Sequence, residues 1–497
     1  MSVSTLSEPN ATVSVAMSCA PLADVVNRWP MTATVLVACI FAFLMQVVFK
    51  GDRWPGIPML RERAFQITTA NKLPNIVVAP KSTNELRKLP DDILSFNKAV
   101  EESLHAKYTG MDTNIEMLPH TIKTALTAAL GRLNPVVADE IVEALRMELP
   151  QSDKWIEVKI MDKIMRVVAI ASGRVFAGPE LCRNEKYLNA SINYTVDVLE
   201  AVRAVSETTP CLRFFLADRL PEVKRVRRCI DEADKFLKPV VTARREAAKN
   251  TDYEKPDDML QWIMDAQPNL GNNDSKELAR IQLSISFAAI HTTTITAINA
   301  PYTLAVMPES VPIFRDEIQS ALAEINGVFT SGAIQNMKKL HSFLKETMRY
   351  HPLGSTSFQR KVLKTFSLSN AQVIPAGAIP EIPSIGINND EEFFPNYDTF
   401  DALRFFNLRQ GKIKQDRDTK QVEVVANAQF FSVGPSSLTF GYGRHACPGR
   451  FFAVNEIKMI MATLLANYDM KNIGKERYAN LEFGEIIVFD PAENKDV

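Results

Sequence analysis

A glycine-rich stretch near the C-terminus constrains the fold more than any other part of the chain. It runs from Phe440 to Arg450, and the apolar periodicity of the residues after it predicts a long helix beginning just after Cys447. A thiol in this position lies at a helix N-terminus, where unpaired backbone N–H groups and the positive end of the helix dipole favour the thiolate. The missing side chains of Gly443 and Gly449 would let something large and flat approach the backbone closely.

Several interpretations of Cys447 compete. A lone cysteine is usually a small buried hydrophobe. The run from Gly441 to Ala446 fits a loose dinucleotide fingerprint, but that site needs an acidic residue about 20 positions further on, and Glu456 comes too early and inside the helix. A nucleophilic cysteine needs a histidine and an orienting Asn or Asp, and His445 has no such companion in the sequence. A thiolate held in such a loop would also suit a soft metal ligand, and a thiolate facing a planar macrocycle is one way in which haem iron is held.

The pattern Phe-x-x-Gly-x-His-x-Cys-x-Gly resembles the haem-binding loop of the cytochrome P-450 superfamily, the haem-thiolate monooxygenases. Phe440, Gly443, Cys447 and Gly449 match the fixed positions of that loop, and His445 lies where the family has Arg or His. The resemblance extends over about residues 50–490. It implies haem b as the cofactor, with the Cys447 thiolate as the axial ligand of the iron.

The N-terminal region predicts a membrane anchor. Residues 1–30 are polar and rich in small residues, which predicts disorder, and residues 31–50 have no charge from Met31 to Phe49. At 1.5 Å per residue this uncharged helix would span roughly 28 Å, enough to cross a bilayer. A signal peptide would begin nearer residue 1 and end in small residues. Basic residues are more frequent after the segment than before it, which places the body in the cytosol.

Two short features flank this predicted anchor. Residues 51–60 contain the run Pro55-Gly56-Ile57-Pro58, which cannot continue a helix and predicts a hinge like the family's proline-rich one. Asn10 begins an Asn-Ala-Thr sequon that would be lumenal in this topology, a short match for glycosylation.

Residues 61–497 predict one α+β body, mainly α, with a small β region. The charges nearly cancel, with 57 Lys and Arg against 58 Asp and Glu, so the composition gives no case for nucleic-acid binding. Six scattered cysteines argue against a disulfide framework. The pattern predicts helices at 84–89 (capped by Ser82), from Pro135 through Val137, Ile141 and Leu145, and at 156–175, 181–204, 221–248, 257–266 and 278–300 (ended or kinked by Pro301). It also predicts strands at 75–79, 366–368, 371–374 and 379–387, and a polar loop at 268–274.

The helix at 278–300 carries threonines at four of five positions, from Thr292 to Thr296. Threonine is a poor helix former, and the simplest explanation is a core helix whose hydroxyls bond back to the previous turn. The resemblance adds a second one, because the family has a small-small-x-acid-Thr stretch here whose Thr helps deliver protons during oxygen activation. Thr292 matches that Thr, and His291 replaces the acid. The resemblance therefore predicts that Thr292 is catalytic. His291 is also predicted to be catalytic, because a His can relay protons near neutral pH.

Three further positions resemble the family's structural network. Glu346 and Arg349 are spaced i, i+3 on one helix, a spacing that by itself usually means a surface pair. Arg404 lies in a segment like the family's Phe-x-Pro-x-Arg-Phe, with Ala402 in place of the proline. The resemblance implies a buried network of Glu346, Arg349 and Arg404 that supports the cysteine loop. Because Ala402 replaces the proline, the geometry of the turn before Arg404 stays open.

Haem propionates need positive partners. The resemblance assigns this role to His445 in the loop and to Arg360 after the Glu-x-x-Arg helix. The family's Trp-x-x-x-Arg pair has no clear match, and Lys123 is only a distant substitute for its Arg.

The resemblance implies a monooxygenase that inserts one oxygen atom from O2 into a hydrophobic small molecule. The cysteine loop and the His-Thr-Thr helix are most similar to fungal biosynthetic members, which oxidise terpenoids, indole-diterpenes or polyketide-derived metabolites. Electrons would come from an NADPH-cytochrome reductase at the endoplasmic reticulum membrane, where the chain would be a single-pass protein. The alternatives are a haem-thiolate isomerase or dehydratase that needs no reductase, and a catalytically silent lipid-binding relative.

Overall fold

The computed structural model describes residues 65–68, 74–113, 115, 117–152, 154–266, 274–323, 327–411 and 419–472. The predicted disordered segment, membrane anchor and hinge (1–30, 31–50 and 51–60) lie outside the described residues, together with Asn10 and most of the loop predicted at 268–274. These features remain predictions.

Helices make up most of the described chain, which confirms the predicted, mainly α class. They are α1 Thr83–Leu86, α2 Phe96–Ser103, α3 Ala106–Thr109, α4 Met117–Thr121, α5 Thr127–Glu148, α6 Ile160–Phe176, α7 Glu185–Glu207, α8 Pro210–Leu216, α9 Pro221–Ala247, α10 Met259–Ala266, α11 Ser275–Leu304, α12 Val311–Ala323, α13 Ser331–Asn336, α14 Lys338–Tyr350, α15 Ser384–Asn388, α16 Arg404–Arg409, α17 Thr419–Ala426 and α18 Arg450–Asn467. A π-helical segment, Ile122–Leu126, joins α4 to α5.

The helix α11 forms the centre of the helical layer. It packs against α6, α7 and α9, and also against α14 and α18, while α5 packs on both α6 and α18. A helix with apolar residues around most of its circumference is expected to be buried on several sides in this way. Among the described helices, α11 alone is long and apolar enough to cross a membrane by length and composition, but 61% of its most apolar window is buried inside the protein. The position of α11 is therefore that of a core helix.

The strands form small sheets beside the helices. Their bounds are β1 Phe65–Thr68, β2 Pro74–Val77, β3 Leu94–Ser95, β4 Thr356–Ser357, β5 Lys361–Val362, β6 Phe366–Ser367, β7 Val373–Ile374 and β8 Ile379–Pro383. The largest sheet has the order β1-β2-β8-β4, in which only the β2–β8 pair is parallel, with Asn75 opposite Ile379. Two antiparallel pairs, β3–β5 and β6–β7, complete the small β region that the sequence predicts.

Most of the predicted elements are confirmed, with ends that shift by a few residues. The helices predicted at 156–175, 181–204, 221–248 and 257–266 are α6, α7, α9 and α10, and the four strand predictions correspond to β2, β6, β7 and β8. The predicted helix at 84–89 is the shorter α1. The stripe of Val137, Ile141 and Leu145 is buried, as its spacing predicts.

Three local predictions were wrong. Pro135 lies inside α5 instead of at its start. Of the two alternatives for Pro301, the helix end is excluded, because α11 continues to Leu304. Proline removes one backbone N–H bond, but the buried residues on both sides of each proline pack against neighbouring helices, and this packing outweighs the lost bond. The Ser82 side chain makes no capping hydrogen bond to α1. Finally, β8 ends at Pro383, and the rest of the strand predicted at 379–387 is the helix α15.

Candidate active site

The backbone of the cysteine loop depends on two of its glycines. Gly441 and Gly443 have φ angles of +70° and +80°, in the left-handed region that favours glycine. A Cβ at Gly443 would also lie 3.2 Å from the Cβ of Arg87. The loop is closed by the backbone N–H of Cys447, which donates to the carbonyl of Phe440 at 2.8 Å. These contacts fix the cysteine at the end of the loop, three residues before α18 begins.

The Cys447 thiol is half-buried beside open space. A Cβ added to Gly449, two residues further on, would meet no protein atom within 4 Å. Burial raises the pKa of the Cys447 thiol, and the backbone N–H groups of Gly449 and Arg450 oppose that rise only in part. The charge of Arg450 opposes the rise as well. A metal ion beside the sulfur would favour the thiolate further.

One face of α11 is accessible although the helix is central. Ala288 and Thr292, one turn apart, are both exposed, whereas Ile290, Thr293 and Thr294 are buried. The Thr292 hydroxyl donates to the carbonyl of Ala288 at 2.8 Å. Thr294 and Thr296 likewise bond back to the previous turn, as the simpler explanation predicts. Thr292 still presents its hydroxyl oxygen on the open face. The structure places α11 against α18, the helix that follows Cys447.

His291 faces a different neighbour from Thr292. Its Nε2 lies 3.0 Å from the carbonyl oxygen of Ile192 in α7. Burial lowers the pKa of the His291 imidazole, although the bond to Ile192 opposes this shift. The structure therefore does not bring the two predicted catalytic side chains together on one face.

The two predicted propionate partners meet at one aromatic ring. The Phe96 ring stacks on His445 with 5.3 Å between centroids, and the Arg360 guanidinium carbon lies 4.9 Å from the Phe96 centroid. His445 Nε2 also bonds to Asp91 at 2.9 Å, and Arg444 lies 3.5 Å from the same carboxylate. Neither Phe96 nor Asp91 belongs to a motif, so local sequence patterns do not identify these two residues.

Arg360 is the better placed of the two for an anion. It is 5% exposed, and among the described residues it forms no ion pair with an acidic side chain. Burial lowers its pKa to about 10, with Asp91 opposing and Arg444 adding to the shift. A buried guanidinium without a carboxylate is costly unless an anion binds to it. Lys123, by contrast, is exposed on the π-helical segment.

Glu346, Arg349 and Arg404 form one buried cluster, as the resemblance implies. Arg349 donates to both carboxylate oxygens of Glu346, at 2.7 and 2.8 Å, and Arg404 Nε donates to the same carboxylate at 3.0 Å. The backbone N–H of Asp401 adds a further bond at 3.2 Å. The remaining donors of Arg404 bond to the carbonyl oxygens of Pro395, Asn396 and Thr399.

The described residues fit a haem. The fit rests on one soft sulfur donor beside open space at Gly449, an accessible face on α11, and a buried Arg360 without a carboxylate partner. A haem carries an iron ion that a thiolate can bind and two carboxylates that cations can bind, so the chemistry of these residues fits that group.

Comparisons with known proteins agree with this site. The family model described as Cytochrome P450 matches residues 121–495. Cytochrome P450 monooxygenase ATR3 of Stachybotrys chlorohalonatus is 39% identical over 422 residues, which cover 84% of this chain and 87% of the relative. BOA4 of Botryotinia fuckeliana is 37% identical, covering 84% and 83%, and janP of Penicillium janthinellum is 34% identical, covering 83% and 78%. Both are also named cytochrome P450 monooxygenases.

Proposed function

We propose, from the premise that this chain belongs to the cytochrome P450 family of haem-thiolate monooxygenases, that Cys447 is the axial ligand of a haem b. The observation that carries the proposal is the half-buried Cys447 thiol in a glycine loop with open space beside Gly449. A bound haem would supply the activation of O2 for insertion of one oxygen atom into a C–H bond.

The residues around the loop would hold and orient this haem. Arg360 and His445 would bind the two propionates, because both are cationic or protonatable and both lie against Phe96. Arg360 supplies a charge that burial has left without an acidic partner. His445 would then either replace its bond to Asp91 by a bond to a propionate, or bond to Asp91 and to that propionate at the same time. Gly443 and Gly449 would let the macrocycle approach the backbone closely.

Thr292 is proposed to hold a proton-carrying water on the accessible face of α11. Its hydrogen is used in the bond to the Ala288 carbonyl, so the hydroxyl oxygen is left to accept a hydrogen bond from water. The relay role predicted for His291 rests on weaker geometry, because its Nε2 is engaged with Ile192 and burial lowers its pKa. Proton delivery through waters beside Thr292 is the path that this arrangement favours.

The proposed substrate is a hydrophobic small molecule of fungal metabolism, in the class of terpenoids, indole-diterpenes or polyketide-derived compounds. The similarity of the chain to fungal monooxygenases supports this class. Electrons are proposed to come from an NADPH-cytochrome reductase at the endoplasmic reticulum membrane. Support for that location comes from the uncharged stretch between Met31 and Phe49.

The deciding experiment compares Cys447→Ser with a matched control, Cys229→Ser, which changes a buried cysteine far from the loop. Wild type and the control are expected to bind haem, to give the red-shifted absorbance band of the reduced carbon monoxide complex, and to form product with a reductase and NADPH. Cys447→Ser is expected to lose both the band and the product. An unchanged spectrum with continued turnover in Cys447→Ser would refute the proposal.

Thr292→Ala is expected to uncouple oxygen reduction from product formation, because the water beside residue 292 would lose its hydroxyl partner. The measurement is product formed per NADPH consumed, with Thr303→Ala as the control, since Thr303 lies on the same helix but is buried and bonds to the Asn299 carbonyl. An unchanged product yield in Thr292→Ala would contradict the role of this hydroxyl.

A further inference from the structure

A small cavity lies between α14 and the segment that leads into the cysteine loop. Its volume is about 20 Å³, and its lining includes Lys345, Ser436, Ser437 and Thr439 together with the rings of Phe405 and Phe430. A cavity of this size has room for a single water molecule, which needs two to four polar partners to be held there.

Lys345 enters this cavity as a buried cation. The residue is 7% exposed, and its Nζ donates to the Ser437 hydroxyl at 2.8 Å and lies 5.4 Å from the centroid of Phe405. Among the described residues, no ion pair joins it to an acidic side chain, and burial lowers its pKa to about 7. An ammonium group has three donors, so further acceptors are needed around this nitrogen.

Ser436 supplies a second polar group to this cavity. It is 4% exposed, and within the described ranges its Oγ has no hydrogen-bond partner. A buried hydroxyl without a partner costs free energy, which an ordered water would recover. The orphaned hydroxyl of Ser436 and the spare donors of Lys345 belong to the same cavity lining, and Thr439 brings a further hydroxyl.

Short contacts connect this cavity to the cysteine loop. Ser437 donates from its hydroxyl to the Ser432 carbonyl at 3.1 Å, and its backbone pairs in both directions with Gly434. The next residue, Leu438, accepts the backbone N–H of Gly441 at 2.8 Å. Lys345 therefore holds the chain a few residues before the loop that presents Cys447.

We propose that the cavity binds one water molecule between Lys345 Nζ and Ser436 Oγ, and that Lys345 is through this site a positioning residue for the cysteine loop. The water supplies the acceptor that the ammonium group lacks and the partner that the serine hydroxyl lacks. It thereby joins α14, which also carries Glu346, to the segment that ends at Cys447. The positioning role rests on the proposed ligation of haem by Cys447, whereas the water site does not.

The water site is tested by a crystal structure of the haem-loaded protein at a resolution that shows ordered waters. A spherical density peak is expected within hydrogen-bond distance of both Lys345 Nζ and Ser436 Oγ. An empty cavity would overturn the inference. This observation needs no thiolate, so it can succeed or fail independently of the proposed function.

The positioning role is tested with Lys345→Met and Ser436→Ala. The matched control is Lys458→Met, since Lys458 is also a buried lysine whose pKa burial lowers to about 7, but its Nζ bonds to the Ile334 carbonyl of α13 instead of to the segment before Cys447. We expect Lys345→Met to lose most of the red-shifted carbon monoxide band per bound haem, and Ser436→Ala to lose a smaller part. The control is expected to keep the band at a comparable loss of thermal stability.

Two outcomes would overturn the positioning role. The first is a Lys345→Met protein that keeps the full band. The second is a loss of the band that is the same in Lys345→Met and Lys458→Met at the same loss of thermal stability. If Lys345→Met fails to fold, Ser436→Ala decides, because it removes the water's partner and leaves the charge in place. A wild-type protein without the band contradicts the proposed function, and the crystallographic water is then judged separately.

Discussion

Two glutamates of this protein are buried to the same extent in very different surroundings. Glu346 in α14 and Glu456 in α18 both have 0% of their surface exposed. Glu346 accepts bonds from two guanidinium groups and from a backbone N–H. Glu456 accepts one bond, from the Ser172 hydroxyl at 2.8 Å, and its second oxygen has no partner in the part of the chain that the structure describes.

The comparison teaches that burial alone does not decide how a carboxyl group behaves. Burial raises the pKa of Glu456 to about 8, and the single bond from Ser172 only opposes this shift, so the group is mostly protonated near neutral pH. Glu346 instead forms ion pairs with Arg349 and Arg404, each of which is itself buried. One glutamate holds two buried guanidinium groups, whereas the other is a neutral acid within the helical layer.

The largest effect is expected from Glu346→Ala. The change leaves Arg349 and Arg404 buried without their anion, and breaking a buried pair in this way costs about 3–5 kcal/mol. Denaturant unfolding measures the loss, and haem content should fall with it. Glu143→Ala is the control, because Glu143 pairs with Arg146 on an exposed helix face and its loss should change stability little. Equal unfolding midpoints for wild type and Glu346→Ala would contradict this account of the cluster.

Arg404→Lys is expected to have the next largest effect. Lysine keeps the charge beside Glu346 but cannot also reach the carbonyl oxygens of Pro395, Asn396 and Thr399 from a planar fork. The loss of these bonds between a charged donor and carbonyl oxygens predicts a decrease of roughly 1–3 kcal/mol in the free energy of unfolding. If Arg404→Lys is as stable as wild type, the charge alone suffices and the carbonyl contacts are dispensable.

Glu456→Gln is expected to change how stability depends on pH. The native pKa of about 8 lies above the unfolded value of 4.5, so between these values the native state binds a proton that the unfolded state releases. This group therefore stabilises the protein fully below pH 4.5, and its contribution is lost as the pH rises towards 8, by about 1.4 kcal/mol per pH unit at most.

The measurement is the difference in unfolding free energy between Glu456→Gln and wild type from pH 5 to pH 7. The difference between the two proteins cancels the opposite trend of His341, whose pKa burial lowers to about 2. The free energy of unfolding of Glu456→Gln should increase relative to that of wild type as the pH rises. If the unfolding free energies of the two proteins change in parallel with pH, the pKa of Glu456 is the same in the folded and unfolded states. The contrast with Glu346 would then be lost.

The smallest effect is expected from Ala402→Pro. The backbone N–H of Arg404 bonds to the Asp401 carbonyl at 3.1 Å, so residues 401–404 form a turn with Ala402 at its second position, where proline is favoured. The turn therefore forms without the family's proline. Proline there should raise stability by about 0.4–1 kcal/mol through the unfolded chain. A destabilised variant would show that the backbone at residue 402 is incompatible with proline.

The sequence predicted much of the fold and the main parts of the site. The cysteine loop, the i, i+3 pair of Glu346 and Arg349, and most helices follow from local patterns, because backbone conformation and periodicity depend on neighbouring residues. Helix ends were less certain. Pro135 and Pro301 lie inside their helices, since packing against other helices outweighs a local rule.

Tertiary structure alone decided which distant side chains meet. No local pattern indicates that Phe96 lies between Arg360 and His445, that Lys345 points into a cavity beside Ser436, or that Glu456 receives its bond from Ser172 in α6. The sequence by itself determined the cysteine loop and the periodic helices, because their backbone conformation depends on neighbouring residues. Packing decided the charge state and partners of each buried group, because both depend on burial and on contacts across hundreds of residues.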